Sequence, residues 1–82
     1  MTRKYYGQKI CGTPHHIDVW YDRSVRTWWV QVYDKKGMTM DLEYRGGMRH
    51  GFVFDVYRRD LAEREAKEIS ALLKIPYKFC KR

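Results

Sequence analysis

The stretch RTWWVQVYDKKG, residues 26–37, places two tryptophans side by side in a run rich in aromatic and β-branched residues. Apolar and more polar residues alternate through this run, which is the period of a β-strand. Successive side chains on a strand point to opposite faces of the sheet. The stretch therefore predicts a strand with Trp28 on one face and Trp29 on the other.

Three more runs show the same period of two: HIDVWYD (16–22), MTMDLEYR (38–45) and GFVFDVY (51–57). The connections RSVR, DKKG and GGMRH are short and contain turn-forming residues. Connections of this length join antiparallel neighbours. We therefore predict an antiparallel meander of three to four strands over residues 16–57. The segment YYGQKI (5–10) is either a fifth, N-terminal edge strand or an ordered arm.

The period changes to that of a helix in RRDLAEREAKEISALLKIP (58–76). The apolar residues at helical spacing are Ala62, Ala66, Ile69 and Leu73. Asp60 is a candidate N-cap, and Pro76 ends the helix because proline cannot continue it. We predict a helix over 60–75 that packs on one face of the sheet. That face carries the most apolar strand residues: Ile17, Val19, Trp28, Val30, Val32, Met40, Leu42, Phe52, Phe54 and Val56.

Length and composition indicate one small α+β domain. The chain has 82 residues, of which 44% are hydrophobic, which is enough for one compact core and leaves little room for a deep cavity. We predict a single domain over 1–82, with a basic aromatic lead-in (1–14) and a basic tail (76–82). Any functional site is expected at the surface.

Two cysteines, Cys11 and Cys80, lie near opposite ends of the chain. The N-terminal residues contain no apolar segment typical of a secretory signal, and no run approaches the roughly 20 apolar residues that span a bilayer. We expect a cytoplasmic protein with no membrane partner and with both cysteines as thiols. A disulfide between them is the alternative if the two ends of the chain meet.

The charge balance favours a polyanionic partner. Seventeen lysines and arginines oppose ten acidic residues, a formal net charge of +7. Such an excess is typical of proteins that bind nucleic acid, DNA or RNA, or an acidic protein surface. The alternative is that the charge only keeps a small protein soluble.

In a meander the first and third connections lie at the same end of the sheet, and a helix antiparallel to the last strand returns to that end. Guanidinium groups gathered there would bind phosphate oxygens in a bidentate manner. We predict a nucleic-acid-binding tip made of Arg23, Arg26, Arg45, Arg49, His50 and Lys74. The opposite end, with Lys35, Lys36, Arg58 and Arg59, is a weaker candidate.

The second face of the predicted sheet, away from the helix, is also aromatic. Its aromatic residues are Trp20, Trp29, Tyr33 and Tyr57. There are three alternatives for these residues: they lie under a lid of tail residues, they form a homodimer or protein interface, or they form a stacking platform for unpaired bases. The lid residues would be Tyr5, Tyr6, Tyr77 and Phe79. The alternative function is therefore a non-enzymatic protein-interaction module, such as a phage-type inhibitor or adaptor.

Carboxylates interleave with these aromatic residues. The same face is predicted to carry Asp18, Asp22, Asp41, Glu43 and Asp55, opposed by Arg45 alone within the strands. A phosphate backbone laid across this face would be repelled. The charges favour a lid or a protein contact here and favour the arginine tip for nucleic acid.

The order of several antiparallel strands followed by one helix, over residues 16–75, resembles the small DNA-binding domains of phage integrases and of a family of plant transcription factors. That resemblance implies a sheet inserted into the major groove. The carboxylates on the second face depart from that pattern. DNA binding is therefore expected at the tip and the basic tails.

Catalysis and metal binding have weak support. His15 and His16 begin the first strand, whereas His50 lies at its far end in the predicted meander, too distant for an acid–base pair. A ribonuclease-like activity at His50 is the enzymatic alternative to a non-enzymatic protein. Cys11 and His15 lack the paired spacing of zinc ligands, so we expect no metal and no cofactor.

Overall fold

A computed structural model describes residues 13–44, 47–49 and 51–81. The chain forms an α+β fold, which confirms the predicted class: a four-stranded sheet with one helix on one face, beside a two-stranded hairpin. The elements are β1 (Pro14–Asp22), β2 (Thr27–Asp34), β3 (Leu42–Tyr44), β4 (Gly47–Arg49), β5 (Phe52–Asp55), α1 (Arg59–Leu73) and β6 (Tyr77–Cys80). The predicted N-terminal strand or arm, 5–10, lies outside the described residues.

The sheet is mixed, with the strand order β5-β2-β1-β6. β1 pairs antiparallel with β2, and β2 pairs antiparallel with β5. β6 pairs parallel with β1, with Ile17 opposite Tyr77 and Trp20 opposite Cys80. The predicted purely antiparallel meander is therefore wrong in its connectivity, because the segment predicted as a tail forms an edge strand.

The predicted third strand, 38–45, divides into two parts. Its first part continues the hairpin after β2, where Met40 N donates to Val32 O at 2.8 Å and Asp34 N to Met38 O at 2.9 Å. Its second part leaves the sheet as β3 and pairs with β4. β5 then pairs with the other half of the same β2 edge, from Thr27 to Val30.

Because the run 38–45 divides, β5 and the helix run opposite to the directions predicted for them. β5 lies beside β2 without an intervening strand, so it runs parallel to β1 and ends beside Thr27. The helix therefore begins at the end of the sheet where the turn 23–26 joins β1 to β2, which we call the hairpin end. It runs to the opposite end, where β6 starts beside Ile17.

The core lies between the helix and the predicted apolar face. The buried residues there are Ile17, Val19, Val30, Val32, Met40, Phe52, Ala62, Ala66 and Ile69. Trp28, Phe54 and Tyr77 pack against this cluster and are partly buried. The alternation therefore assigned the strand faces correctly, although Val56 lies in a turn rather than in a strand and the side chain of Leu42 is not described.

The helix ends differ from the predicted caps. Arg58 occupies the N-cap position and makes no side-chain capping hydrogen bond with a described residue, whereas Asp60 lies within the first turn. At the other end Lys74 adopts a left-handed conformation, with φ 58°, and its N–H donates to Ser70 O at 2.8 Å. No helix in the described part of the chain is long and apolar enough to cross a membrane.

The second face carries a tightly connected aromatic group. The rings of Trp20 and Trp29 stack at 6.0 Å, and Trp20 Nε1 donates to Gln31 Oε1 at 3.0 Å. Tyr33 OH donates to the same oxygen at 3.1 Å. The backbone at Gly51 crosses this group closely, since a Cβ there would lie 2.9 Å from Gln31 Cγ.

Replacing Ile69 by alanine should lower the free energy of unfolding by about 3 kcal/mol, because the side chain is fully buried between helix and sheet. Leu72→Ala, in the same helix but 40% exposed, is the matched control and should cost less than about 1 kcal/mol. Urea denaturation measures both values. Equal losses would contradict the assigned helix face.

Gly51→Ala should destabilise the fold by about 1–3 kcal/mol, because the added methyl group overlaps Gln31 and lies 3.4 Å from Trp29 Cε3. It should also change the near-ultraviolet circular dichroism of the tryptophans. Gly37→Ala is the control: its φ of 87° makes the substitution cost about 1 kcal/mol, but a Cβ there meets no neighbour. A tryptophan spectrum that changes in the control and not in Gly51→Ala would refute the packing.

Candidate nucleic-acid interface

An open cavity of about 430 Å³ lies at the hairpin end, between the start of the helix and the ends of β1 and β6. It is lined by Tyr21, Arg23, Trp28, Arg59, Phe79, Cys80 and Lys81. We call it the hairpin-end cleft. Three of these residues are cations and three are aromatic, so the cleft combines positive charge with flat apolar surface.

The three cations come from three separate elements. Arg23 begins the turn after β1, and Asp22 Oδ1 fixes that turn by accepting hydrogen bonds from Ser24 N at 3.0 Å and Ser24 Oγ at 2.6 Å. Arg59 is the first residue of the helix, and Lys81 follows β6. The parallel pairing of β6 with β1 brings Lys81 to the same end as Arg23.

The aromatic rings form a fixed wall. Tyr21 and Trp28 are cross-strand partners whose rings lie 5.2 Å apart and tilted by 48°. Phe79 meets Trp28 edge to face at 6.2 Å. Trp28 Nε1 donates to Val56 O at 3.3 Å, which ties the ring to the turn before the helix. All three rings therefore come from strands of the sheet.

Arg59 connects the charge to the rings. Its guanidinium carbon lies 4.3 Å from the Phe79 ring centroid and 5.7 Å from that of Trp28. Both distances are within the range of cation–π attraction. The contact places a planar cation beside two aromatic side chains in the lining of the cleft.

The charged side chains among the described residues that line the cleft are all positive. Among the described residues that line the cleft, none carries a carboxylate. Two carboxylates nearby are engaged in turns: Asp22 holds Ser24, and Asp55 Oδ1 accepts from Tyr57 N at 2.9 Å. The start of a helix adds the positive end of its dipole, partly offset by Asp60 in the first turn. This arrangement suits an anionic ligand with a planar apolar part.

The structure brings together only part of the predicted arginine tip. Arg23 lines the cleft, and Arg26 lies in the same turn with φ 52° but does not line it. Arg45 and His50 lie outside the described residues, and Arg49 is in β4 with its side chain not described. The predicted cluster of six is therefore not assembled within the described part of the chain.

The placement of Lys74 at this tip is wrong. The prediction assumed a meander in which the helix returns to the hairpin end, whereas the helix begins there and Lys74 lies at the opposite end. Its left-handed backbone closes the helix. The same reversal brings Arg59 to the hairpin end, although it was predicted at the other one.

Phe79 and Lys81 were missed because residues 76–82 were predicted to be a tail. A signal was present in the sequence: in YKFC, Tyr77 and Phe79 alternate with Lys78 and Cys80, which is a short period of two directly after a helix stop. In the structure Tyr77 and Phe79 lie on the helix side of the sheet, in register with Ile17 and Val19. Their predicted part in a lid over the second face is therefore wrong. The other lid residues, Tyr5 and Tyr6, lie outside the described residues.

The predicted interface residues divide between two places. Trp20, Trp29 and Tyr33 are on the second face and are partly buried. Tyr57 lies in the turn between β5 and the helix and is 81% exposed at the hairpin end, so its predicted position on the second face is wrong.

The second face is less acidic than predicted. Asp41 and Glu43 are not in the four-stranded sheet, because the predicted third strand leaves it. Lys78 joins the face through β6, in register with Asp18, which is 7% exposed. The charge argument that directed phosphate away from this face is therefore weaker than the sequence indicated.

A histidine pair lies at the end of the sheet opposite the cleft. His15 Nδ1 and His16 Nδ1 are 2.9 Å apart at a β-bulge, and His16 stacks on Tyr33 with ring centroids 5.3 Å apart. His16 Nε2 lies 3.7 Å from Asp18 Oδ1. Among the described residues no group of three or more His, Cys, Asp or Glu side chains could hold a metal ion. The ribonuclease alternative depends on His50, outside the described residues.

Comparisons with protein-family models, curated proteins and solved structures gave no match for this chain.

Proposed function

We propose that this protein binds nucleic acid, DNA or RNA, through the hairpin-end cleft. The observation that carries the proposal is the convergence of Arg23, Arg59 and Lys81 on a cleft walled by Trp28 and Phe79. Cations supply the attraction to phosphate, and aromatic rings or arginine planes supply stacking surface for bases.

Nucleic acid fits this combination better than an acidic protein surface does. Acidic side chains would use the three cations but would leave the aromatic wall without a planar partner. A nucleotide offers both an anion and a flat base within one short unit. The formal net charge of +7 supports approach to a polyanion from any direction. A cytoplasmic location, in contact with RNA and DNA, belongs to the same proposal.

The proposed contact is at the end of the sheet and not across its face. The helix covers one face, and on the other the Trp20–Trp29 stack is partly buried and Gln31 is buried. The mode of binding proposed here therefore differs from the sheet-in-groove mode that the integrase resemblance implies. The protein-interaction alternative through Trp20, Trp29 and Tyr33 gains no specific support from this arrangement.

The double variant Arg23→Ala/Lys81→Ala should weaken binding of a short single-stranded oligonucleotide at least about tenfold at low salt, because two charged phosphate contacts are lost. Fluorescence anisotropy over a salt series measures this. The plot of log affinity against log salt should become shallower by about 1.4, since each phosphate contact on a single strand contributes about 0.7.

Lys35→Ala/Lys36→Ala is the matched control. It removes the same charge from an exposed turn at the opposite end of β2. Its slope should equal that of the unmodified protein. Equal effects of the two double variants would show that net charge alone drives binding, and no binding of any single strand or duplex at low salt would exclude the proposed function.

A further inference from the structure

We infer that the hairpin-end cleft takes an unpaired base, so that the protein prefers single-stranded nucleic acid to a duplex. This inference rests on the proposed function and specifies its substrate class. It follows from the position of the aromatic surface, which lines the open cleft beside three cations.

A base paired within a duplex does not offer its face to these rings. The cleft volume of about 430 Å³ lies in the range of small-molecule sites, roughly 300–1,000 Å³. In a duplex the base faces are stacked on their neighbours, and a protein reaches only the base edges in the grooves. Contact with rings inside a cleft therefore requires a base that has turned out of any stack.

The stacking partner is the Arg59–Phe79 pair. Phe79 lies on the edge strand β6 and is 36% exposed, so its ring is accessible to a ligand. Arg59 lies 4.3 Å from the centroid of its ring, and the helix places this arginine in its first turn. Guanidinium planes and aromatic rings both stack on bases, so this pair offers a stacking surface to an unpaired base.

The other two cations, Arg23 and Lys81, line the same cleft as the Arg59–Phe79 pair. Arg23 comes from the turn after β1, and Lys81 comes directly after β6, on the strand that carries Phe79. Each can contact a phosphate next to the inserted base. One base and its neighbouring phosphates would thus use all three cations, whereas a duplex would use the cations alone.

The test compares Phe79→Leu and Phe79→Tyr on a single strand and on a duplex of the same sequence, with affinity measured by anisotropy. Phe79→Leu keeps an apolar side chain but removes the ring, so it should weaken single-strand binding about tenfold and change duplex binding less than about twofold. Phe79→Tyr keeps the ring and should bind the single strand within about twofold of the unmodified protein.

Circular dichroism and the thermal midpoint would show whether Phe79→Leu is folded. If it is not, a second variant still tests the inference. Arg59→Lys keeps the charge at an exposed helix start but removes the plane, and it should lower the preference for the single strand about fivefold. A strand carrying 2-aminopurine should report stacking by quenched fluorescence on binding, and Arg59→Lys should reduce the quenching.

The possible results separate the two proposals. Salt-dependent binding that is equal for single strand and duplex, and unchanged in both Phe79→Leu and Arg59→Lys, would overturn the unpaired-base inference and leave the proposed function intact. Loss of duplex and single-strand binding in equal proportion in Arg59→Lys would likewise overturn it. No binding of either form by the unmodified protein would exclude both.

Discussion

The edge of β2 is shared by two chain segments, and the direction of the rest of the fold depends on this sharing. Residues 38–40 pair with the last part of β2, and β5 pairs with its first part. Because both segments use one edge, only one full strand separates β5 from β1, and the two run parallel. The helix consequently starts beside the turn 23–26, and β6 can return parallel to β1. The pairing along this edge therefore determines that Arg23, Arg59 and Lys81 lie at the same end of the sheet.

Much of the sheet could be predicted from the alternation of residues. The period of two assigned Ile17, Val30 and Phe52 to the core and Trp29 to the second face, because side-chain direction is a local property of a strand. Pairing is not local. The run 38–45 alternates cleanly, yet nothing in that alternation indicates that the chain leaves β2 after Met40. If this run formed a full strand of the sheet, β5 and the helix would each run in the opposite direction.

The same distinction explains why the candidate site was predicted in part. Arg23 was identified because the turn after β1 does not depend on the number of later strands. Lys74 and Arg59 were each predicted at the wrong end of the sheet, because their positions depend on the number of strands before the helix. Placing Phe79 required the prediction of a strand of only four residues after a proline, and so short a strand shows too few alternating residues to be recognised. Long-range pairing, and not residue chemistry, limited the prediction of the cleft.

The parallel pairing of β1 with β6 has a consequence for biosynthesis. β1 is among the first described elements to leave the ribosome, and its partner on one side is the last. At ordinary rates of translation the interval between them is on the order of seconds, during which that edge of β1 lacks β6. The hairpin and the helix can pack earlier, whereas the cleft gains Phe79 and Lys81 only after the final strand has docked. A nascent chain released before residue 77 would thus carry Arg23 and Arg59 without the completed cleft.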